Sequence, residues 1–357
     1  GLYVANSTID FTYGTLLQTH TVIGHLRYDA TNQSVILKEI EYGDTAKPIS
    51  GLIHTNEDRY VGYYLDPNNF IRDSISQIRI FKITLLHLDN KFNTIDERRL
   101  TVGSINYDIF GFRDGDYTNN LLKTLNNGHF IISTAEGNLW SKNYLICFDE
   151  NLNTKWKIKI ENTNSLKDDY YLKDIMVTKD AIYVLQNKIN YDGTFDHYRI
   201  KKYDYDGNLL NTSASSVSGA EARQIISSPS GYLVVGAQYN ALTDSKIFFS
   251  SFDINNNHVA TKLLNSMYDS YGTQTFIQTN ILECNNAWYF MSGSQLVKVN
   301  KIMETEWVKP IAMPGYQAKE GFLVNAGENI TFINKLYWLG ISGMAFTKID
   351  FDGEVVK

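Results

Sequence analysis

Short apolar runs recur along the whole chain, each broken by a polar turn, and nowhere is the three-and-four spacing of an amphipathic helix sustained. The stretch YLICFDENLNTKWKIKI, residues 144–160, shows the type. An apolar run reaches a polar turn at Asp149, and a second run follows in which Trp156, Ile158 and Ile160 alternate with Lys155, Lys157 and Lys159. A period of two puts each set on one face of a strand, so the segment predicts two antiparallel strands, the second half wet. Much of this pattern returns in QLVKVNKIMETEWVKPI, residues 295–311.

Alignment on the strand-turn-strand unit gives further copies, anchored at Asp89, Asp149, Asp204, Asp253, Asn300 and Asp350, with spacings by subtraction of 60, 55, 49, 47 and 50. A weaker copy carries Glu41, 48 before Asp89. Two more apolar runs precede most anchors, joined by turn residues such as Asn127 with Gly128, Ser230 with Gly231 and Asn285 with Asn286. These are residues that accept the positive φ or side-chain capping of a tight reversal. The second run of each unit is apolar on both faces, as in HFIIS, AIYVL, YLVVGA and AWYFMSG, which predicts inner strands packed on both sides. Repeats of about fifty residues, each of four antiparallel strands, predict an all-β fold, a β-propeller in one domain. The blades fall near 1–50, 51–103, 104–160, 161–214, 215–266, 267–311 and 312–357, seven in number, or six if residues 1–50 form an extension.

The unit resembles the extracellular bacterial propeller repeat, with its apolar strand, GGY-led strand and D-x-x-G-x-x-x-W turn, and more loosely the pyrroloquinoline-quinone-like propeller superfamily. Departures are plain: the tryptophan appears only as Trp156 and Trp307, seven residues after their anchors, and the turn glycine only as Gly207 and Gly353. The docking motif of quinone repeats, the sialidase box and the WD signature are missing from the sequence. The resemblance implies a propeller and an exported protein at the outer cell surface, with a lipid anchor upstream of Gly1 as one arrangement.

Composition narrows the classes. The formal net charge is −6 with both signs interspersed, so no basic stripe collects nucleic-acid phosphates. No apolar run is long enough for a membrane-spanning helix. Cys147 and Cys284 lie in strand-like runs and read as buried thiols without metal-ligand spacing; no cofactor or metal site is predicted.

Candidate chemistry falls on the long loops, where a propeller carries its function. They include 103–120, 161–174, 265–275 and 312–329 between blades, and 65–77, 135–142 and 187–198 within them. Their aromatic set, Tyr107, Tyr117, Trp140, Tyr170, Tyr171, Tyr191, Tyr268, Tyr271 and Tyr316, with Asp116 among nearby carboxylates, suits a protein partner or a glycan. Asp196, His197 and Tyr198 offer a general-base candidate, since lyases on propellers can use His and Tyr near the channel. The YDYDGN turn at 203–208 resembles the start of a calcium loop but lacks its downstream glutamate, and reads as a side-chain-stabilised hairpin. Asn211 opens a glycosylation-type sequon. The polar residues Asn120, Asp174, Arg223, Asn280 and Asn329 open what read as innermost strands. Together these features predict a non-catalytic binding or scaffold module with a protein partner in the cell envelope; a glycan-binding module and a polysaccharide lyase or hydrolase using His197 and Tyr198 are the alternatives.

Overall fold

The computed structural model describes residues 8–15, 18–29, 34–42, 49–56, 59–72, 79–91, 93–105, 122–135, 143–160, 169–190, 194–215, 217–239, 246–264, 267–268, 274–275, 277, 279–311, 321–338 and 341–356. Among them no helix occurs. Strands β1 (Thr8–Thr15), β2 (Gln18–Asp29) and β3 (Ser34–Tyr42) make a three-stranded sheet. The meander β4 (Ile49–Asn56), β5 (Arg59–Arg72), β6 (Arg79–Asp89) and β7 (Thr94–Ile105) follows. Through the pair Gly103 and Ala135 it touches a second, β8 (Leu122–Thr124), β9 (Phe130–Ala135), β10 (Asn143–Phe148) and β11 (Thr154–Ile160). Next come β12 (Asp169–Val177), β13 (Ile182–Ile189), β14 (Phe195–Tyr203) and β15 (Leu209–Ala214), then β16 (Ala220–Ser228), β17 (Gly231–Gln238), β18 (Lys246–Asp253) and β19 (His258–Leu264). The short pair β20 (Met267–Tyr268) and β21 (Gln274–Thr275) precedes β22 (Leu282–Cys284), β23 (Ala287–Ser292), β24 (Gln295–Asn300) and β25 (Thr305–Pro310). Strands β26 (Gly321–Asn325), β27 (Asn329–Trp338) and β28 (Ile341–Asp350) end the series.

The chain divides into two compact units: Gly1–Phe112 with Asn120–Tyr183 and Lys202–Leu210, and Arg113–Asn119 with Val184–Lys201 and Asn211–Lys357. Inside the first, sheets β4–β7 and β8–β11 share a core of Val61, Ile83, Leu85, Phe130, Ile132 and Phe148. Inside the second, Val235, Phe249, Trp288 and Phe290 fill the space between β16–β19 and β22–β25, and Tyr289, Leu296, Ile330 and Phe332 that between β22–β25 and β26–β28. Antiparallel sheets of up to four strands, packed face to face within each unit, have the form of propeller blades. The fold is all-β, of the β-propeller type. Burial follows the predicted pattern: all six residues of β23 are buried, whereas β11 alternates between exposed and covered positions.

Among the described residues the anchors Asp149, Asp204, Asp253, Asn300 and Asp350 form the same hairpin turn. At Asp149 the backbone N–H donates to the Asn153 carbonyl (2.9 Å), Leu152 N–H returns to the Asp149 carbonyl (3.0 Å), and carboxylate Oδ1 accepts the N–H groups of Asn151 and Asn153 at 3.0 and 2.8 Å. Asp204, Asp253, Asn300 and Asp350 repeat these bonds, and at Asp89 the N–H donates to the Asn93 carbonyl while Oδ1 accepts the N–H groups of Lys91 and Asn93. The fourth residue of the turn is left-handed, at Leu152 (φ 62°), Gly207 (84°), Asn256 (70°), Met303 (63°) and Gly353 (84°). A left-handed residue with a side chain costs roughly 1–2 kcal/mol, and the anchor's hydrogen bonds offset it. The carboxylate of Asp204 accepts these donors and Asn208 Nδ2 (2.9 Å), so the 203–208 stretch is a capped turn.

This left-handed residue meets the residue seven beyond the preceding anchor. Trp156 lies on Gly207 and its Nε1–H donates to the Tyr205 carbonyl (2.7 Å); Trp307 lies on Gly353. A Cβ would stand 3.0 Å from the Trp156 ring at position 207 and 2.8 Å from the Trp307 ring at position 353. The two tryptophans and two glycines at these repeat positions are therefore matched pairs across successive sheets. Elsewhere the slot is filled differently: Ala260 packs on the core that holds Met303, and Asn256 Nδ2 donates to Asn211 Oδ1 at 2.7 Å.

Several expected boundaries move. Residues 65–77, read as a loop, are strand as far as Arg72, because β5 continues past an irregularity between Asp66 and Phe70. Residues 328–343, read as a hairpin, hold the single strand β27 up to Trp338, so Asn329 opens a second strand and not an innermost one. Asn334 and Lys335 looked like turn residues, yet Asn334 pairs on both sides, with Gly321 of β26 and Ala345 of β28, and Lys335 pairs with Met344 of β28.

Candidate binding site

The best-built polar cluster lies in the second unit, where β13–β14 and β16–β17 meet. Buried Asn187 donates through Nδ2 to the Ala222 carbonyl (2.8 Å) and accepts the Ala222 N–H at Oδ1 (2.9 Å), pinning that peptide from both sides. Directly after it the β16–β17 register slips between Ala222 and Gln224, so Arg223 is the extra residue of a β-bulge. A bulge re-aims a side chain while the flanking ladder stays intact. Gln224 meanwhile accepts the Ile281 N–H at Oε1 (2.8 Å), tying the bulged strand forward.

Arg223 is held in turn. Its Nη2 donates to Glu221 Oε2 at 3.0 Å, and the Tyr239 hydroxyl donates to the same oxygen at 2.7 Å. The Glu221 side chain is 6% exposed and that of Arg223 21%, so a covered carboxylate holds a guanidinium that still reaches solvent. Burial, and next the Glu221 charge, push the Tyr239 phenol well above its ordinary value, which keeps it a donor. The Tyr239 ring stacks on Phe195, with centroids 5.5 Å apart. Two backbone bonds fix the approach: Gly219 N–H to the Asp196 carbonyl (2.7 Å) and Tyr239 N–H to the Gly219 carbonyl (2.9 Å). Asp196 Oδ2 sits 3.2 Å from Lys188 Nζ and 3.3 Å from His197 Nδ1. Burial pushes the Asp196 carboxyl up, but those two partners outweigh it and leave it below the ordinary range. The result is a stacked aromatic pair beside two cations and two carboxylates, suited to recognition by ring faces and directed hydrogen bonds.

The structure separates His197 from Tyr198. Successive residues of β14 face opposite ways: Tyr198 is fully buried and stacked on Phe248 at 5.5 Å, while His197 lies beside Asp196 with 27% of its side chain exposed. Burial pushes the Tyr198 hydroxyl up to about 12. The two do not face one substrate, because a strand cannot turn neighbours to one side. Among the described residues no group of three His, Cys, Asp or Glu side chains could hold a metal.

Of the predicted aromatic rim, Tyr170 and Tyr171 lie on β12 and Tyr268 on the short β20, not on loops. Tyr107, Asp116, Tyr117, Trp140, Tyr191, Tyr271 and Tyr316 lie outside the described residues. Among the strand-opening polar residues, Asn280 is spent on the Leu323 peptide, donating to its carbonyl (3.0 Å) and accepting its N–H (2.9 Å). Asp174 accepts the N–H of Ile175 (2.8 Å), and Asn120 lies outside the described residues. Glu221, Phe195 and Tyr239 escaped the sequence reading; the one available signal was Glu221 two residues before Arg223, a same-face charge pair on a strand.

No protein-family model and no curated protein matches the chain. Solved structures similar to it include a Bacteroides caccae protein of unknown function (12% identity, 84% of this chain and 93% of that one, TM-score 0.43). Dihydro-heme d1 dehydrogenase NirN (10%, 99% and 73%, 0.46) and the Neurospora crassa Pan2 WD40 domain (9%, 92% and 85%, 0.44) are similar as well. Likeness at this level brings no activity with it.

Proposed function

We propose that this propeller-type protein is a non-catalytic binding module that holds a protein partner in the cell envelope, with the Phe195, Tyr239, Glu221 and Arg223 cluster as a contact surface. The observation that carries the reading is the support beneath Arg223: a bulge, a buried carboxylate, a phenol and a pinned peptide all fix one mostly covered guanidinium beside a stacked aromatic pair. Rigid arginine and tyrosine anchors of this kind dominate protein interfaces. Placement at the outer cell surface, through a lipid anchor, belongs to the same proposal and rests on the propeller-repeat resemblance.

The test is a mild-detergent affinity pull-down of the tagged protein from its native cells, with stoichiometry read by mass spectrometry, for wild type, Arg223→Ala and Tyr239→Phe. A stoichiometric envelope partner, weakened at least about 30-fold by Arg223→Ala and less by Tyr239→Phe, supports the reading. A solitary protein, or a partner indifferent to Arg223, overturns it and brings glycan panels forward.

A further inference from the structure

Asn127 and Gly128 are the one Asn-Gly pair of the sequence, and they stand exposed in the turn between β8 and β9. Buried Leu125 and Phe130, 1% and 0% exposed, hold the turn from both sides, and Leu125 N–H closes it on the His129 carbonyl at 2.7 Å. Two contacts fix the Asn127 side chain. The His129 backbone N–H donates to its Oδ1 at 3.1 Å, and its amide Nδ2 lies 3.2 Å from His129 Nδ1. Gly128 is left-handed (φ 82°), and a Cβ built on it would meet nothing within 4 Å among the described residues. Its own N–H makes a longer bond than the one that closes the turn, 3.2 Å to the Leu125 carbonyl. The asparagines of the anchor turns are placed differently. Asn93, Asn153, Asn208 and Asn257 give Nδ2 to the anchor carboxylate, and each precedes a residue with a side chain: Thr94, Thr154, Leu209 or His258.

We propose that Asn127 is a self-modification site, where the turn converts the side-chain amide to aspartyl and isoaspartyl forms with the help of His129. Gly128 N attacks Asn127 Cγ, and the new Cγ–N bond closes a cyclic imide. Negative charge gathers on Oδ1 in the tetrahedral intermediate, where the His129 N–H already points, and a fixed donor at that place stabilises it. The proton of Gly128 N passes to solvent. The protonated His129 ring returns a proton to Nδ2, which departs as ammonia as the Cγ–Nδ2 bond breaks. Water then opens the imide at either carbonyl. Both products add a carboxylate to an exposed turn, and the isoaspartyl form also lengthens the main chain inside a hairpin whose register its turn sets.

The test follows residue 127 in the folded full chain during incubation at neutral pH, with aspartyl and isoaspartyl products located and quantified by mass spectrometry. Wild type is expected to convert at Asn127 ahead of Asn93, Asn153, Asn208 and Asn257, and His129→Ala to convert about tenfold slower or more. A histidine that only braced the turn would give the opposite sign, because a looser turn leaves the chain freer to close the ring. In urea, with the turn unfolded, wild type and His129→Ala should convert alike. Asn127 intact in the folded wild type, a His129→Ala rate equal to or above that of wild type, or a difference of the same size in urea overturns the proposal.

Discussion

The seam between Trp156 and Gly207 in one unit and the seam between Asn211 and Asn256 in the other occupy the same place in the repeat yet are built from opposite materials. In the first, an indole lies on a residue with no side chain and gains one hydrogen bond to the Tyr205 carbonyl. In the second, two amides of middling size bond each other, and Asn256 reaches on to the Ile200 carbonyl (3.4 Å) and accepts from the Tyr232 hydroxyl. The turn backbone is left-handed in both, 84° and 70° in φ. What the repeat conserves is thus the space between blades and the turn that bounds it. A full side chain on one wall requires a bare wall opposite, and the apolar version needs shape where the polar version needs partners.

The most damaging way to break the first seam is Gly207→Val. The new side chain must adopt a left-handed backbone and enter the indole's space, together worth about 3 kcal/mol or more in denaturant unfolding. The same change at Gly353 should behave alike, since its Cβ would also meet a tryptophan ring, at 2.8 Å. Trp156→Ala comes next, at about 2–3 kcal/mol for a half-buried aromatic. The double variant Trp156→Ala with Gly207→Met imitates the Ala260 and Met303 arrangement and should recover part of that loss; a double-mutant cycle showing simple additivity would count against complementary filling. In the polar seam, Asn211→Ala should cost about 1–2 kcal/mol, because it removes the Oδ1 acceptor of one N–H of the buried Asn256 amide.

The smallest effect concerns acid. Burial pushes the Asp204 carboxyl up, but the Asn208 side chain and the turn's backbone N–H groups outweigh it and hold it below the ordinary 3.8. A depressed carboxyl contributes stability that is complete above its unfolded value and disappears as pH falls through the folded one. Asn208→Ala should therefore move the acid-unfolding midpoint slightly upward in a circular-dichroism titration. A midpoint that stays fixed or moves down would show that the amide contributes nothing to the turn.

The repeat was legible because its signals are local. An anchor aspartate needs only the next four residues to close its turn, and an inner strand declares itself by being apolar on both faces, as β23 is. The site was less legible. His197 and Tyr198 looked like partners because they are neighbours in sequence, and strand alternation is what parts them. Asn187, Asn280 and Gln224 carried no warning of their use, since each satisfies a peptide 35, 43 or 57 residues away.

By itself the sequence determined the all-β class, the four-stranded repeat and the chemistry of its turns, because hairpins form from residues close along the chain and alternate by simple stereochemistry. Only the tertiary structure decided which tryptophan answers which glycine and which asparagine closes which peptide. It alone showed that Glu221, Arg223 and Tyr239 converge. Those outcomes depend on packing between segments some fifty residues apart, where complementarity of volume and of hydrogen-bonding groups is set by the partner surface and leaves no period in the sequence to read.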